Sequence, residues 1–423
     1  VLTATLTLLL LLAPQPTESA TPADHHGGAE QRGPALSFDE ALGASGTSPR
    51  VRGYEEAAEQ KRDLDGDLTL VPIGPEVQVL AGGRVHPREV TGFEIQVTAT
   101  QSWSLEGYGK KRVKAAEAET DVLEVEARAQ ALEQQLAAAR AWIMLHAAER
   151  ELELALAELA ELRSLVETLE LAREAGVGTR SDVADARARA AAVEQRASEL
   201  RGDVHDLGLV LARETNGDTS KPASTRGDYP DPQLASEAEL RRVFADVESL
   251  PQVAQQRLLA RAEQARAAEA KAARATTLNA GFSIQRESGT DVVLFGVIGG
   301  NFATSPGSRE HGTATAAVRT ATAEAEAQAL ALEAELTIAL HDLHHTKEQI
   351  DILRGHTLPA HVELVETRTQ ALSLGEGTRA LVLDAVARRH AVERELAAAE
   401  AAWVWARVEV WLYHQAFLAG GDE

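Results

Sequence analysis

Cysteine is absent from all 423 residues, which excludes disulfides, thiolate metal sites and a lipid-modified cysteine at a mature N-terminus. Positive charge is scarce: 42 Lys and Arg stand against 65 Asp and Glu, a net charge of −23. So acidic a balance argues against nucleic acid as a partner and suits a cation-friendly surface or lumen. Aromatic residues make up only 4%. With Ala, Leu, Glu and Arg filling long stretches, that scarcity favours long helices over a compact mixed core. Also missing are a Gly-rich phosphate loop, a nucleophile elbow and a zinc-protease helix. The Gly-x-Gly turns that do occur follow no strand, so a nucleotide-binding reading fails on context. The chain is expected to be no enzyme and to need no cofactor.

Long apolar runs are missing too, except at the start. "VLTATLTLLLLLAPQPTESATPA" is too short for a spanning helix, which needs about 20 apolar residues. Its small residues around Ala20 and Ala23 resemble a secretory signal. Residues 1–23 are expected to be a signal peptide and 24–35 a flexible leader. If the protein crosses a membrane, it must do so as a β-barrel.

What is present is a repetition. "GVGTRSDVADARARAAAVE" (176–194) returns as "GEGTRALVLDAVARRHAVE" (375–393), with 12 of 19 positions identical. The flanking patterns repeat in the same order. "LSFDEAL" offers Ser37 as a helix cap, and a second short helix follows Pro49. In "TGFEIQVTATQSWSL", Phe93, Ile95, Val97, Ala99, Trp103 and Leu105 share one parity and polar residues the other, the mark of a two-faced strand. "PEVQVLAGG" is its expected hairpin partner, giving a hairpin at about 75–105. From about Val113 to Ala175 the period becomes helical, a rod of roughly 90 Å. Within it Leu152, Ala155, Leu159, Leu162, Val166 and Leu169 form a coiled-coil seam. Gly176 and Gly178 turn the chain, and a return helix runs from about Ser181 to Thr215.

The segment 216–236, rich in Pro, Gly and Asp, reads as a linker. Beyond it Pro251 stands where Pro49 stood. "TLNAGFSIQ" and "DVVLFGVIGGNF" form a hairpin at about 277–303, and a second rod spans about Thr313 to Leu374. That rod turns at Gly375 and Gly377 into the last helix. Two structural repeats are expected, 36–215 and 237–418, with a tail at 419–423. Four strands leave two open edges, so a barrel needs several copies. Three would supply twelve strands.

These residues resemble the TolC-type outer-membrane efflux proteins. The resemblance covers about residues 36 to 417 and rests on "LSFDEAL", the two Gly-x-Gly-Thr-Arg turns and the junction "QSWSLEGYGKKRVKAAEAE". That junction is most similar to the cobalt–zinc–cadmium resistance branch, through Leu105, Glu106, Gly109, Lys110, Lys111 and Arg112. The resemblance implies a mainly α fold with a small transmembrane β-barrel. It implies a homotrimeric channel-tunnel in outer-membrane lipid with a long periplasmic extension. Its implied partners are a periplasmic membrane-fusion (adaptor) protein and an inner-membrane pump of the resistance–nodulation–division kind. The tips Gly176, Gly178, Thr179, Arg180, Gly375, Gly377, Thr378 and Arg379 would then dock the adaptor. Asp182, Asp185 and Asp384, within one or two turns of them, are candidates for the gate. The cargo is expected to be divalent heavy-metal cations, with drug efflux or type I protein secretion as the alternative.

Three further signals stand apart. His341, His344 and His345 lie at i, i+3 and i+4 on the second rod, a spacing that can share a metal. The leader carries "DHHGG" at 24–28, a possible scavenging tract. Trp403, Trp405 and Trp411 are expected to pack the last helix against the equator of the tube. A soluble or surface-attached coiled-coil scaffold, without a channel, is the rival from another class. The apolar parity of residues 93–105 and 278–284 opposes it, because a scaffold has no reason to expose such a face.

Overall fold

The computed structural model describes residues 33–66, 76–86, 89–104, 106–273, 277–286, 292–301 and 309–420. The expected signal peptide, nearly all of the leader with its "DHHGG" tract, and Leu105 lie outside the described residues. Gly33–Glu423 cluster as one compact unit.

A two-residue strand, β1 (Ala35–Leu36), precedes α1 (Phe38–Gly46). Ser37 starts α1 with a reciprocal cap: Glu40 N donates to Ser37 Oγ at 3.3 Å and Ser37 N to Glu40 Oε2 at 2.7 Å. Helix α2 (Pro49–Gly66) opens on a proline, whose missing N–H is unneeded at a first helical position. Strands β2 (Glu76–His86) and β3 (Glu89–Ser104) lead into α3 (Tyr108–Glu174), 67 residues and about 100 Å long. The rod begins earlier than periodicity suggests because Gly107, at φ +69°, already caps it. Helix α4 (Arg180–Glu214) returns.

The second half follows the same order. A short strand β4 (Ser224–Thr225) is followed by α5 (Glu237–Ala245), α6 (Pro251–Ala272), β5 (Thr277–Arg286) and β6 (Val292–Asn301). The second rod comprises α7 (Arg309–Ile352), a π-helical turn (Leu353–Thr357) and α8 (Leu358–Ser373). Helix α9 (Arg379–Gly420) closes the chain. The π turn was not foreseen. Pro359 lies just beyond it and lacks an N–H for the ladder, which is one reason a rod departs from α geometry.

β1 and β4 pair in parallel, Ala35 with Ser224 and Leu36 with Thr225, so residues read as leader edge and linker stitch the two halves together. The main sheet has the order β2-β3-β5-β6, antiparallel throughout. Its register aligns Val79 with Val97, Val97 with Ile284, and Ile284 with Leu294. One parity therefore carries Val77, Val79, Ile95, Trp103, Leu278, Phe282, Ile284, Val292, Leu294 and Ile298, all exposed. The opposite face of the central pair is polar and hydrogen bonded. Gln96 Nε2 donates to Ser283 Oγ at 2.9 Å, and the hydroxyls of Thr98 and Ser283 lie 2.8 Å apart. Strand β6 departs from alternation, with Val293 and Phe295 on this second face.

The central seam depends on Gly281. A Cβ there would lie 2.1 Å from the Ala99 carbonyl oxygen and 2.8 Å from Thr100 Cα. Gly281→Val should separate β3 from β5, seen as loss of a heat-modifiable β-rich species on detergent gels and of the sheet signal in circular dichroism.

The main core lies where α1, α3, α4, α5, α6, α7 and α9 meet. It is built on Trp142, Leu145, Leu211, Leu250, Val253, Leu336, Val408 and Val410. Trp142 Nε1 donates to Leu36 O at 2.8 Å, tying β1 to the first rod. Trp403, Trp405 and Trp411 pack half-buried against this core, with Arg407 over the Trp403 ring and Arg140 over the Trp405 ring. Along the first rod the expected seam is occupied. Ala155, Leu159, Leu162 and Leu169 are buried, with Leu152 and Val166 packed beside them. Among the described residues no helix is long and apolar enough to cross a membrane.

Candidate functional site: the paired tips and the ties above them

Each rod ends in the same turn for the same reason. Gly176 and Gly375 adopt φ of +78° and +80°, the left-handed conformation that ends a helix without a Cβ clash. Gly176 N then donates to Arg173 O at 3.0 Å and Val177 N to Ala172 O at 2.9 Å. At the second tip Gly375 N donates to Leu372 O at 3.1 Å and Glu376 N to Ala371 O at 2.9 Å. Both are Schellman closures, which satisfy the orphan carbonyls of a helix end. Gly178 and Gly377 sit against the backbone of the helix they leave: a Cβ would lie 2.8 Å from Arg173 N and 3.1 Å from Leu372 N respectively.

The tips diverge one step later. Thr179 caps α4 reciprocally with Asp182: Asp182 N donates to Thr179 Oγ1 at 3.1 Å and Thr179 N to Asp182 Oδ2 at 3.2 Å. At the matching place after Thr378 stands Leu381, which cannot close such a box. Arg379 instead crosses to the first tip. Its Nη1 lies 3.2 Å from Asp182 Oδ2, and its Nη2 donates to Val177 O at 2.9 Å. The hydrogen bonds from Thr179, with Arg379 beside them, hold the Asp182 carboxyl below its usual range despite some burial. Arg189 Nη1 donates to Leu383 O at 3.2 Å, and Leu383 joins Leu162, Leu169, Val183 and Ala186 in one buried cluster. The two tips are thus latched within one chain.

The other sequence candidates fall differently. Arg180, the counterpart of Arg379, is exposed, as is Asp185. Asp384 pairs within its own helix with Arg388 at 2.9 Å. Val177 and Leu374 expose apolar side chains at the two tips. The three histidines do not converge. His341 and His345 stack ring on ring with centroids 5.8 Å apart, while His344 Nε2 faces Glu237 Oε2 at 3.4 Å. Among the described residues no group of three or more His, Asp or Glu could hold a metal ion. The three rings sit in two places, His341 against His345 and His344 toward Glu237.

Above the tips lies a polar cluster that sequence reasoning missed. Glu158 and Glu161 of α3 meet Arg389, His390, Glu393 and Arg394 of α9. Glu158 pairs with Arg394 and is only 5% exposed. A signal was present: within the repeated segment, Arg389 and His390 stand where the first copy has Ala190 and Ala191.

At the equator Glu409 is driven up to about 7 by burial and by the neighbouring Glu335, with Arg140 opposing. The same carboxylates and burial raise the Tyr413 hydroxyl. Because native Glu409 keeps its proton where the unfolded chain has lost it, stability is greatest below the ordinary glutamate range. It falls as pH climbs to about 7 and is flat beyond. After solvent screening the change is on the order of 1 kcal/mol. Glu409→Gln should flatten that decline in thermal-melting scans and raise the melting temperature on the alkaline side.

Several solved structures share this fold. The outer-membrane channel OprN matches with a TM-score of 0.70 at 16% identity, over 95% of this chain and 98% of that one. The outer membrane protein VceC of Vibrio cholerae matches with a TM-score of 0.67 at 17% identity, over 90% and 95%. CusC, solved in a study of transmembrane channel formation, matches with a TM-score of 0.66 at 14% identity, over 96% and 99%. These likenesses establish the fold. No curated protein matches by sequence. Residues 44–213 match the outer membrane efflux protein family.

Proposed function

We propose that this chain is the exit duct of a tripartite efflux system, a homotrimer seated in the outer membrane with a long periplasmic tube. The observation that carries the reading is the sheet. An apolar face, interrupted by Gln101, runs across four strands, a polar network backs its centre, and β2 and β6 are left as open edges. In water such a face is a liability; in lipid it is a barrel wall. Three copies supply twelve strands and close every edge.

The recurring order of elements and the shared tip sequence support an internally duplicated chain, with repeats at 36–215 and 237–418. The helical hairpins form the tube. The six tips of a trimer receive the hairpins of a periplasmic adaptor, and an inner-membrane pump of the resistance–nodulation–division kind supplies the energy. Arg379 and Asp182 hold the resting tip closed. The duct performs no chemistry of its own. Divalent heavy-metal cations are the proposed cargo, on the strength of the "LEGYGKKR" junction and the net charge of −23.

The test is complementation. A host lacking its own duct, given this chain with its neighbouring pump and adaptor, should regain tolerance to cobalt, zinc and cadmium and gain none to organic drugs. The opposite pattern would keep the duct and replace its cargo. Failure to restore either, with the protein present in the outer membrane, would overturn the reading.

A further inference from the structure

The cluster around His390 contains a conflict that a proton resolves. His390 is 5% exposed. Its Nδ1 lies 2.7 Å from Glu393 Oε2 and its Nε2 lies 2.8 Å from Glu161 Oε2. Carboxylate oxygens only accept, so both ring nitrogens must donate, and the ring must be charged. Yet Arg389 Nη2, which also binds Glu161, lies 2.7 Å from the same His390 Nε2. A guanidinium only donates, so this contact suits a neutral ring with its lone pair on Nε2. Each protonation state satisfies one neighbour of Nε2 and opposes the other.

We propose that His390 is a proton-operated clasp joining α9 of the second hairpin to α3 of the first. With the ring charged, His390 and Arg389 both hold Glu161. With the ring neutral, Nδ1 keeps its proton toward Glu393, and the Nε2 lone pair draws the Arg389 donor while repelling Glu161. Both ties across the helix pair then weaken together.

The surrounding charges fix the direction. From α3 come Glu158 and Glu161, and from α9 Arg389, Glu393 and Arg394. Helix α4 carries Arg189, bound to Leu383 O, and Glu194, paired with Arg163 at 3.0 Å. Helix α8, packed along α9, carries His361, Glu363 and Glu366 at a matching distance from its tip. Burial raises the Glu161 carboxyl, but the bonds from His390 and Arg389 outweigh it and hold the group below its usual range, ionised and ready to receive the ring proton's bond. Histidine is the side chain whose charge changes near neutral pH. The first copy of the segment has alanine in place of both Arg389 and His390, so the clasp belongs to one hairpin pair only.

The inference rests on the fold and not on the conducting role. The natural absence of cysteine makes a distance measurement direct. Ser164 and Ala391, exposed on α3 and α9, are replaced by cysteine and spin-labelled in the detergent-extracted full chain. Between about pH 5.5 and about pH 8 the distance distribution should broaden and shift outward. His390→Lys should stay narrow across the range, and His390→Gln should show no pH response. If either variant fails to fold, Glu161→Gln removes the group the switch acts on and should abolish the response equally. An unchanged distribution in the parent, or a pH response that survives in His390→Gln or Glu161→Gln, would overturn the proposal.

Discussion

In planar bilayers, Arg379→Glu trimers are expected to pass several-fold more current than the parent. Arg379 is the group that reaches from the second tip to the first, binding the Asp182 carboxylate and the Val177 carbonyl at once. Charge-assisted hydrogen bonds contribute about 1.5–3 kcal/mol when sheltered and less in water. With Asp182 and Arg379 each about a quarter exposed, on the order of 1 kcal/mol per latch is reasonable, repeated in each copy of a trimer. A bias of about 1.4 kcal/mol already changes a two-state ratio tenfold. Reversing the charge turns attraction into repulsion beside Asp182 while leaving the Gly375 closure untouched. Arg180→Ala, at the exposed counterpart, should change conductance far less. Equal conductance of Arg379→Glu and the parent would remove the latch from the mechanism.

Trp142→Ala should cost about 3–5 kcal/mol, the usual range for emptying a large aromatic site. The indole is fully buried, meets Phe38 edge-on at 5.7 Å and stacks on His146 at 5.0 Å. Removing it also takes one of two donors from the Leu36 carbonyl, which keeps Arg226 N at 2.9 Å, and so loosens β1 against the first rod. Guanidinium unfolding in mild detergent, followed by near-ultraviolet circular dichroism, should show a lower midpoint. The circular-dichroism signal of the sheet should persist, because β2, β3, β5 and β6 contribute no residue to this core.

Much of this was legible before any coordinates. The parity of Val97, Ala99, Phe282 and Ile284 marked the strands because a sheet with one apolar and one polar face must alternate. The Gly-x-Gly-Thr-Arg turns marked the tips because only glycine takes the left-handed closure without strain. Periodicity marked the seam from Leu152 to Leu169. What escaped depends on contacts between distant segments. Nothing local to Arg379 says that it crosses to Asp182, and nothing local to His390 says that Glu161 awaits it. The pairing of Leu36 with Thr225 joins two stretches whose composition reads only as loop. Among the histidines of the second rod, helical spacing brings His341 and His345 together, while Glu237 of another helix faces His344.

One measurement bears most directly on the exit-duct claim. The protein is expressed behind a secretory signal peptide, extracted from the outer-membrane fraction in mild detergent, weighed by light scattering and recorded in a bilayer from the same peak. The account predicts a trimer with small, cation-selective conductance. A water-soluble monomer or dimer without conductance would mean that the strand edges never close, and would contradict it.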